Sequence, residues 1–439
     1  MEMAWEKAGQ PLLSQLLRAP PNTIHEWSDL FRNVFEAVRN PRFGAKAYFA
    51  EHSAVPREAF EAASKFEPRE RDGGQAAGMV YGLELLQIPA DLCAPYPRPF
   101  LEINPEETAW LTKSGGEIAI EGKGPATLKE RRSLVLPVRQ GKGWPASLGR
   151  TKVAPRHSTR VVFVDRVYRS MDGTPVPPKT NPFGEEISPE ALKKISKNRA
   201  YQGVILHPSF LRAVDEVFAS QIKALEVPLG LELSGKAAEM GDTVRKAWAV
   251  AQPQPLVLSL SDEELIEATE NSFPKRGKET LFNTFLRAVH FIQGVDVLFV
   301  LIHGHEVNLG LVKASTLPLE AVQSALLAGS WVAAEVAARR GGLGDIEATP
   351  ASKAWPVLKF FAKEYAAHFK KEKGKIEDEL LFKGSTSQPL YGYSPVIAPV
   401  IWSEKLDANG YLVGLGDAIG AVVMAFVFEI LRGGVPSLG

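Results

Sequence analysis

The chain has 439 residues, with 51 Lys+Arg against 51 Asp+Glu. Zero formal charge excludes a dedicated nucleic-acid or membrane-surface binder, which would carry a large basic excess. A hydrophobic share of 45% with a single cysteine, Cys93, excludes a disordered chain, an internal disulfide framework and a cysteine-based zinc site.

The first twenty-odd residues, MEMAWEKAGQPLLSQLLRAPPN, have early acids and no long apolar core, unlike a signal peptide. The apolar stretch from Ala418 to Leu431 is interrupted by Glu429 and too short to span a bilayer. A cytoplasmic protein is expected, with no membrane and no nucleic acid among its partners. Residues 1 to about 95 read as mainly helical: LLSQLL, DLFRNVFEAVRN and REAFEAASKF have helical apolar spacing, and GGQAAGMVYGLELL reads as a helix opened by glycines. From about 96 to 174 short β-like runs follow: FLEINP, GEIAIEG, SLVLPV and STRVVFVDRVY. Between Lys123 and Arg160 there are ten Lys/Arg and one acid, Glu130, which is either a solvated face or a positive surface for phosphates.

Residues 175–439 alternate. Strand candidates are GVILH, PLGLELS, PLVLSLS, DVLFVLIH, NLGLVKA and PVIAPVIW. Helix candidates are PSFLRAVDEVFASQIKAL, SDEELIEATEN, KETLFNTFLRAVHFIQ, PLEAVQSALLAGSWVAAEVAARR and a deeply buried Asp417–Leu431. Short apolar strands between helices predict a largely parallel, buried sheet. The expected organisation is a large α/β domain, 1–95 and 175–439, with a small β-rich lid, 96–174, and a ligand at the carboxyl ends of the strands.

Four strings could carry chemistry. In GYLVGLGDAIG, a Gly-rich turn at Gly414 and Gly416 runs into the last helix. Glycines permit close ligand approach and the helix start presents unpaired N–H groups to an anion. Asp417 reads as its cap or as a reactive carboxylate. An earlier GLGD, Gly342 to Asp345, follows a helix ending in AARR and reads as a helix C-terminus. Glu232 and Ser261-Asp262-Glu263-Glu264 lie at strand ends, where carboxylates could hold Mg2+ directly or through waters. The Ser261 string reads equally as an N-cap with an acidic first turn. His303 and His305 alternate along a strand, so both rings would share a face. That leaves room for an unrelated metal-using α/β enzyme.

Taken in this order, the strings resemble the ADP-dependent sugar kinase family, the ADP-dependent glucokinases and phosphofructokinases, over most of the chain. The resemblance implies a ribokinase-like three-layer α/β/α fold with a small β-rich lid. Asp72-Gly73-Gly74-Gln75-Ala76 resembles the family's GGxA helix start, making Gly73, Gly74 and Gln75 sugar contacts. Glu232 matches the glutamate of an HxE string in which Gly230 replaces His. Ser261 to Glu264 matches NExE with Ser for Asn and Asp for Glu, so Glu232, Asp262 and Glu264 become the metal-holding set. His303 resembles a residue near the nucleotide, and Ala337 to Ile346 resembles an RAxxGDI string. Val413 to Ile419 is the nearest match, implying Asp417 as catalytic base, Gly414 and Gly416 beside it, and Val413 and Leu415 at the nucleotide.

These resemblances imply a glycolytic kinase of carbohydrate metabolism. It would transfer a phosphoryl group from ADP to a sugar or sugar phosphate, with Mg2+ as cofactor. The family's first strand carries an N-x-x-D sugar-binding string, and no such strand precedes Gln10. With the altered HxE and NExE strings, this leaves a second reading: a catalytically degraded kinase-fold protein that binds nucleotide or sugar as a sensor or partner.

Overall fold

The computed structural model describes residue 29 and residues 46–49, 75–90, 126–138, 147–148, 151–152, 159–170, 175–176, 201–211, 216–233, 237–274, 279–341, 343–403, 406 and 415–433. Two compact units are present: Met1–Gly73 with Tyr96–Glu102 and Lys123–Pro182, and Gly74–Pro95 with Ile103–Gly122 and Phe183–Gly439. In the first unit, β1 (Lys46–Phe49) pairs parallel with β5 (Thr159–Ser170). Strand β2 (Ala126–Val138) pairs antiparallel with β5, the register shifting between Thr127 and Glu130. Short strands β3 (Ser147–Leu148) and β4 (Thr151–Lys152) pair with each other, and β6 (Pro175–Val176) adds to β5. The expected runs SLVLPV and STRVVFVDRVY are therefore strands. Strand β1 lies in a stretch read as helical. LLSQLL, most of DLFRNVFEAVRN, REAFEAASKF, FLEINP and GEIAIEG lie outside the described residues.

The second unit is built on a six-stranded sheet, β7 (Val204–Leu206), β8 (Leu229–Glu232), β9 (Leu256–Ser261), β10 (Phe299–His303), β11 (Val307–Lys313) and β13 (Tyr393–Pro399). The spatial order is β13-β11-β10-β9-β8-β7. β7, β8, β9 and β10 pair parallel, and β11 is antiparallel to both its neighbours. Only β11 runs against the rest, because a tight turn joins it to β10 and leaves no length for a crossover helix. Two short strands, β12 (Thr349–Pro350) and β14 (Ile401–Trp402), pair outside this sheet.

Alternation along the strands sorts side chains into two layers. Leu256, Leu258, Leu260, Val300 and Ile302 enter one buried cluster, whereas Val257, Phe299, Leu301 and Val312 enter another. The first face is covered by α4 (Ala237–Ala251), α5 (Asp262–Thr269), α6 (Leu281–Phe291), α8 (Ala354–Ala366) and α9 (Lys373–Lys383). The second is covered by α1 (Gln75–Leu85), α7 (Leu319–Gly341) and α10 (Leu415–Leu431). Short helices α2 (Pro208–Leu211) and α3 (Glu216–Lys223) follow β7.

Residues Leu319–Arg339 of α7 have the length and composition of a membrane span, with mean hydropathy 1.3, yet 67% of that window is buried within the protein. It is a core helix packed on α10. The last helix starts at Leu415, so Asp417 is in its first turn rather than at its cap. Helix α7 stops at Gly341, where Leu343 N donates to Ala338 O at 2.9 Å, as expected of the first GLGD copy.

Candidate active site

Three strands end together. Register pairs Glu232 of β8 with Ser259 of β9, and His303 of β10 with Ser261. Glu232, Ser259 and His303 thereby project from the face that α10 covers, while Leu231, Leu260 and Ile302 point into the opposite core. These are the carboxyl ends of parallel strands, where open α/β sheets bind ligands.

Helix α10 comes very close to this polar group. A methyl built at Gly416 would meet His303 Cε1 at 2.5 Å, and one at Gly420 would meet Glu232 Oε2 at 2.0 Å and Ser259 Oγ at 2.8 Å. Helix α1 lies on the same part of α10, since a methyl at Gly82 would meet Ala418 Cβ at 3.0 Å. Glu232 Oε1 and His303 Nε2 are 3.2 Å apart, the carboxylate 2% exposed and the imidazole 14%. Glu232 Oε2 and Ser259 Oγ have no hydrogen bond of good geometry within the protein.

Ser261 caps α5. Its Oγ accepts from Glu264 N at 3.1 Å, and its own N donates back to Glu264 Oε2 at 2.9 Å, a complete capping box. The Ser261 hydroxyl also donates to Glu264 Oε2 at 2.9 Å, and Asp262 Oδ1 accepts from Glu263 N at 2.9 Å. The cap and the acidic first turn are thus real, and they also fix two carboxylates at the end of β9.

Burial pushes the Glu232 carboxyl well up, and the negative charge of Asp417 adds to that. Burial raises Asp262 too, against the nearby His305. Glu264 is pushed up to about 6 by burial, with His303 pulling the other way. Burial lowers His303, with Glu264, Asp262 and Asp417 opposing. Acids held this way are short of positive charge, and a divalent cation suits them. The described residues contain no group of three His, Cys, Asp or Glu set for direct metal ligation. Glu232, Asp262 and Glu264 could hold such a cation only through water.

The structure brings together Glu232, Asp262, Glu264, His303, Gly416 and Asp417. Leu415 opens α10 and Gln75 opens α1. Gly73, Gly74, Val413 and Gly414 lie outside the described residues. The strand alternation expected for the two histidines does not reach His305, since β10 ends at His303; the half-exposed His305 sits 3.7 Å from Glu263 Oε1, and both imidazoles act on Asp262. The pKa of His305 is raised chiefly by a hydrogen bond with Glu263. Gly230, which stands where the resembling string has His, has its space filled by α10: a methyl there would lie 2.6 Å from Met424 Sδ. Sequence reasoning passed over Ser259 and gave no role to Gly420, the last residue of GYLVGLGDAIG. The signals were a hydroxyl inside the apolar strand LVLSLS and a glycine inside an apolar helix.

No family model matches the sequence, and neither does any curated protein. Solved structures do match, along nearly the whole chain. A last common ancestor of ADP-dependent phosphofructokinases from Methanosarcinales is 17% identical, with a TM-score of 0.55 over 97% of this chain and 90% of that one. A phosphofructokinase from Pyrococcus horikoshii OT3 with AMP is 15% identical, with a TM-score of 0.52 over 98% and 94%. An ADP-dependent kinase complex with fructose-6-phosphate and ADPβS is 15% identical, with a TM-score of 0.62 over 98% of both chains. The chain therefore has the fold of the ADP-dependent kinases, a layered α/β domain with a parallel-dominated sheet.

Proposed function

We propose that this protein is a phosphotransferase moving a phosphoryl group from ADP to a hydroxyl of a sugar or sugar phosphate, with Asp417 as the base. The observation that carries the reading is the position of Asp417. It stands in the first turn of α10, over the carboxyl ends of β8 and β10, in a full-length likeness to ADP-dependent kinases.

Phosphoryl transfer needs in-line placement, charge neutralisation and a base for the attacking hydroxyl. Asp417 accepts the proton of the acceptor hydroxyl as the oxygen attacks, a contribution of about 10²–10⁴-fold. Backbone N–H groups at the start of α10, at Leu415 and Gly416, would meet the developing negative charge, and Gly414, next to them in sequence, is assigned to the same task. His303, which lies against Gly416, and Val413 and Leu415 by their place in sequence, are assigned to the nucleotide side. Glu232, Asp262 and Glu264 would hold Mg2+ through water; when bound, it neutralises charge on the phosphates. Gln75, which opens α1, and Gly73 and Gly74, which precede it in sequence, would take the sugar; that α1 packs on α10 beside Ala418 supports this.

The test is calorimetry of ADP, AMP and ATP with Mg2+, followed by a phosphoryl-transfer assay over hexoses and hexose phosphates. ADP binding in the micromolar range, tighter than ATP, together with turnover of one acceptor is the expected result. Nucleotide binding without turnover of any acceptor would favour the degraded-kinase reading, which the filled space at Gly230 also supports. No nucleotide binding at all would remove both.

A further inference from the structure

We infer that His303 is a positioning residue, which holds the Glu232 carboxylate in one orientation beneath the first turn of α10. The inference rests on the phosphoryl-transfer reading for its kinetic part and on geometry alone for the rest.

Glu232 is 2% exposed; His303 Nε2 lies 3.2 Å from its Oε1, and the Ser259 hydroxyl is a second side-chain neighbour, without a hydrogen bond of good geometry. A buried carboxylate with so few partners depends heavily on the best-placed one. The imidazole is itself held. Its backbone ends β10, and one part of its ring lies against Gly416, where a methyl would come within 2.5 Å of Cε1 and 3.1 Å of Nδ1. Gly416 and Gly420 are four residues apart, so both lie on one face of α10. That face rests on the His303–Glu232 pair, since a methyl at Gly420 would press on Glu232 Oε2. The pair thus ties the end of β8 to the end of β10 and sets the height at which α10 carries Asp417, the residue next to Gly416.

A direct nucleotide contact is the competing role for His303. The ring offers little surface for it: 14% is exposed, Nε2 is turned to Glu232, and Gly416 closes in on the ring. The positioning role predicts a different signature from a contact. Losing a contact raises KM or Kd for the nucleotide; losing a support lowers kcat.

The experiment compares His303→Leu, which keeps volume and removes the ring nitrogens, with His303→Gln, whose amide reaches about as far as Nε2. Steady-state kinetics should show kcat down about tenfold or more in His303→Leu, with KM for ADP within about twofold, and recovery to within about threefold in His303→Gln. In parallel, unfolding is measured for wild type, His303→Leu, Glu232→Gln and the double variant. The cycle should show coupling of at least about fivefold in the unfolding equilibrium constant. A raised KM with unchanged kcat, a Gln variant no better than Leu, or an uncoupled cycle overturns the inference. A wild-type protein without turnover overturns the kinase reading instead, and the unfolding cycle then decides the inference by itself.

Discussion

At the residue scale, two carboxylates do different work. Asp417 is partly exposed at the start of α10, whereas one oxygen of Glu264 completes the cap of α5. Asp417→Asn keeps the shape of the side chain and one acceptor oxygen, and removes its basicity. Turnover should fall at least about a hundredfold, with ADP affinity within about threefold by calorimetry. Near-normal turnover would remove Asp417 as the base. Glu264 gives a pH prediction. Its folded pKa, about 6, lies above the ordinary 4.5, so the folded state holds this proton more tightly than the unfolded state does. Its ionised form therefore costs stability above about pH 6, and the cost disappears as pH falls towards 4.5. Glu264→Gln, still able to complete the capping box, should stabilise the protein by about 2 kcal/mol at pH 7.5 and by little at pH 4.5. Denaturant unfolding with a chelator present measures this; a gain independent of pH would show that ionisation is not the cause. Asp417 could be singled out from sequence because a Gly-rich turn before an apolar helix is a local pattern. The His303–Glu232 contact could not, since 71 positions separate the two and only strand order brings them together.

At the element scale, α10 poses a conflict between propensity and fit. Gly420 lies in the middle of a helix, where alanine is intrinsically better by about 1 kcal/mol. The added methyl would nevertheless sit 2.0 Å from Glu232 Oε2, with Ser259 Oγ closing the other side at 2.8 Å. The clash outweighs propensity, because overpacking a filled core costs about 1–3 kcal/mol. Gly420→Ala should therefore lose up to about 2 kcal/mol in urea unfolding and at least tenfold in turnover, the larger effect falling on activity. A variant more stable than wild type, with full turnover, would mean the Glu232 carboxylate is free to move away. All six strands of the sheet were readable as short apolar runs. Three helices on one face were not, and each has a reason. Helix α4 buries mainly small or short side chains, among them Thr243, Val244, Ala247 and Ala251, so its apolar stripe is thin. Helix α8 carries Pro356, which looks like a breaker but stands in the first turn, where proline lacks nothing the helix needs. Helix α9 buries only Ile376 and Leu380, one contact per turn.

At the scale of the molecule, the sheet, its two helical layers and the strand-end site belong to one compact unit, while the β-rich strands belong to another. A ligand of the strand-end site should stabilise the first of these selectively. ADP at about 100 times its Kd is expected to add about 2.7 kcal/mol to the unfolding free energy of the α/β unit. Hydrogen exchange would read this as slower exchange in β8, β9, β10 and α10 and unchanged exchange in β2 and β5. Equal protection of both sets of strands would place the nucleotide elsewhere.

The place of α10 in chain order has a consequence for synthesis. It seals one side of β8 and β9 with ten buried residues, yet it is made after every strand it covers. From Lys313, the end of β11, the ribosome must add roughly 120 residues to reach Leu431, which takes about 6–24 s at ordinary elongation rates. For that interval the nascent sheet presents Val257, Phe299 and Leu301 to whatever is nearby. A chaperone that shields this bare surface until the closing helix emerges would set the yield of folded protein, and truncations before Leu415 would be cleared as aggregates.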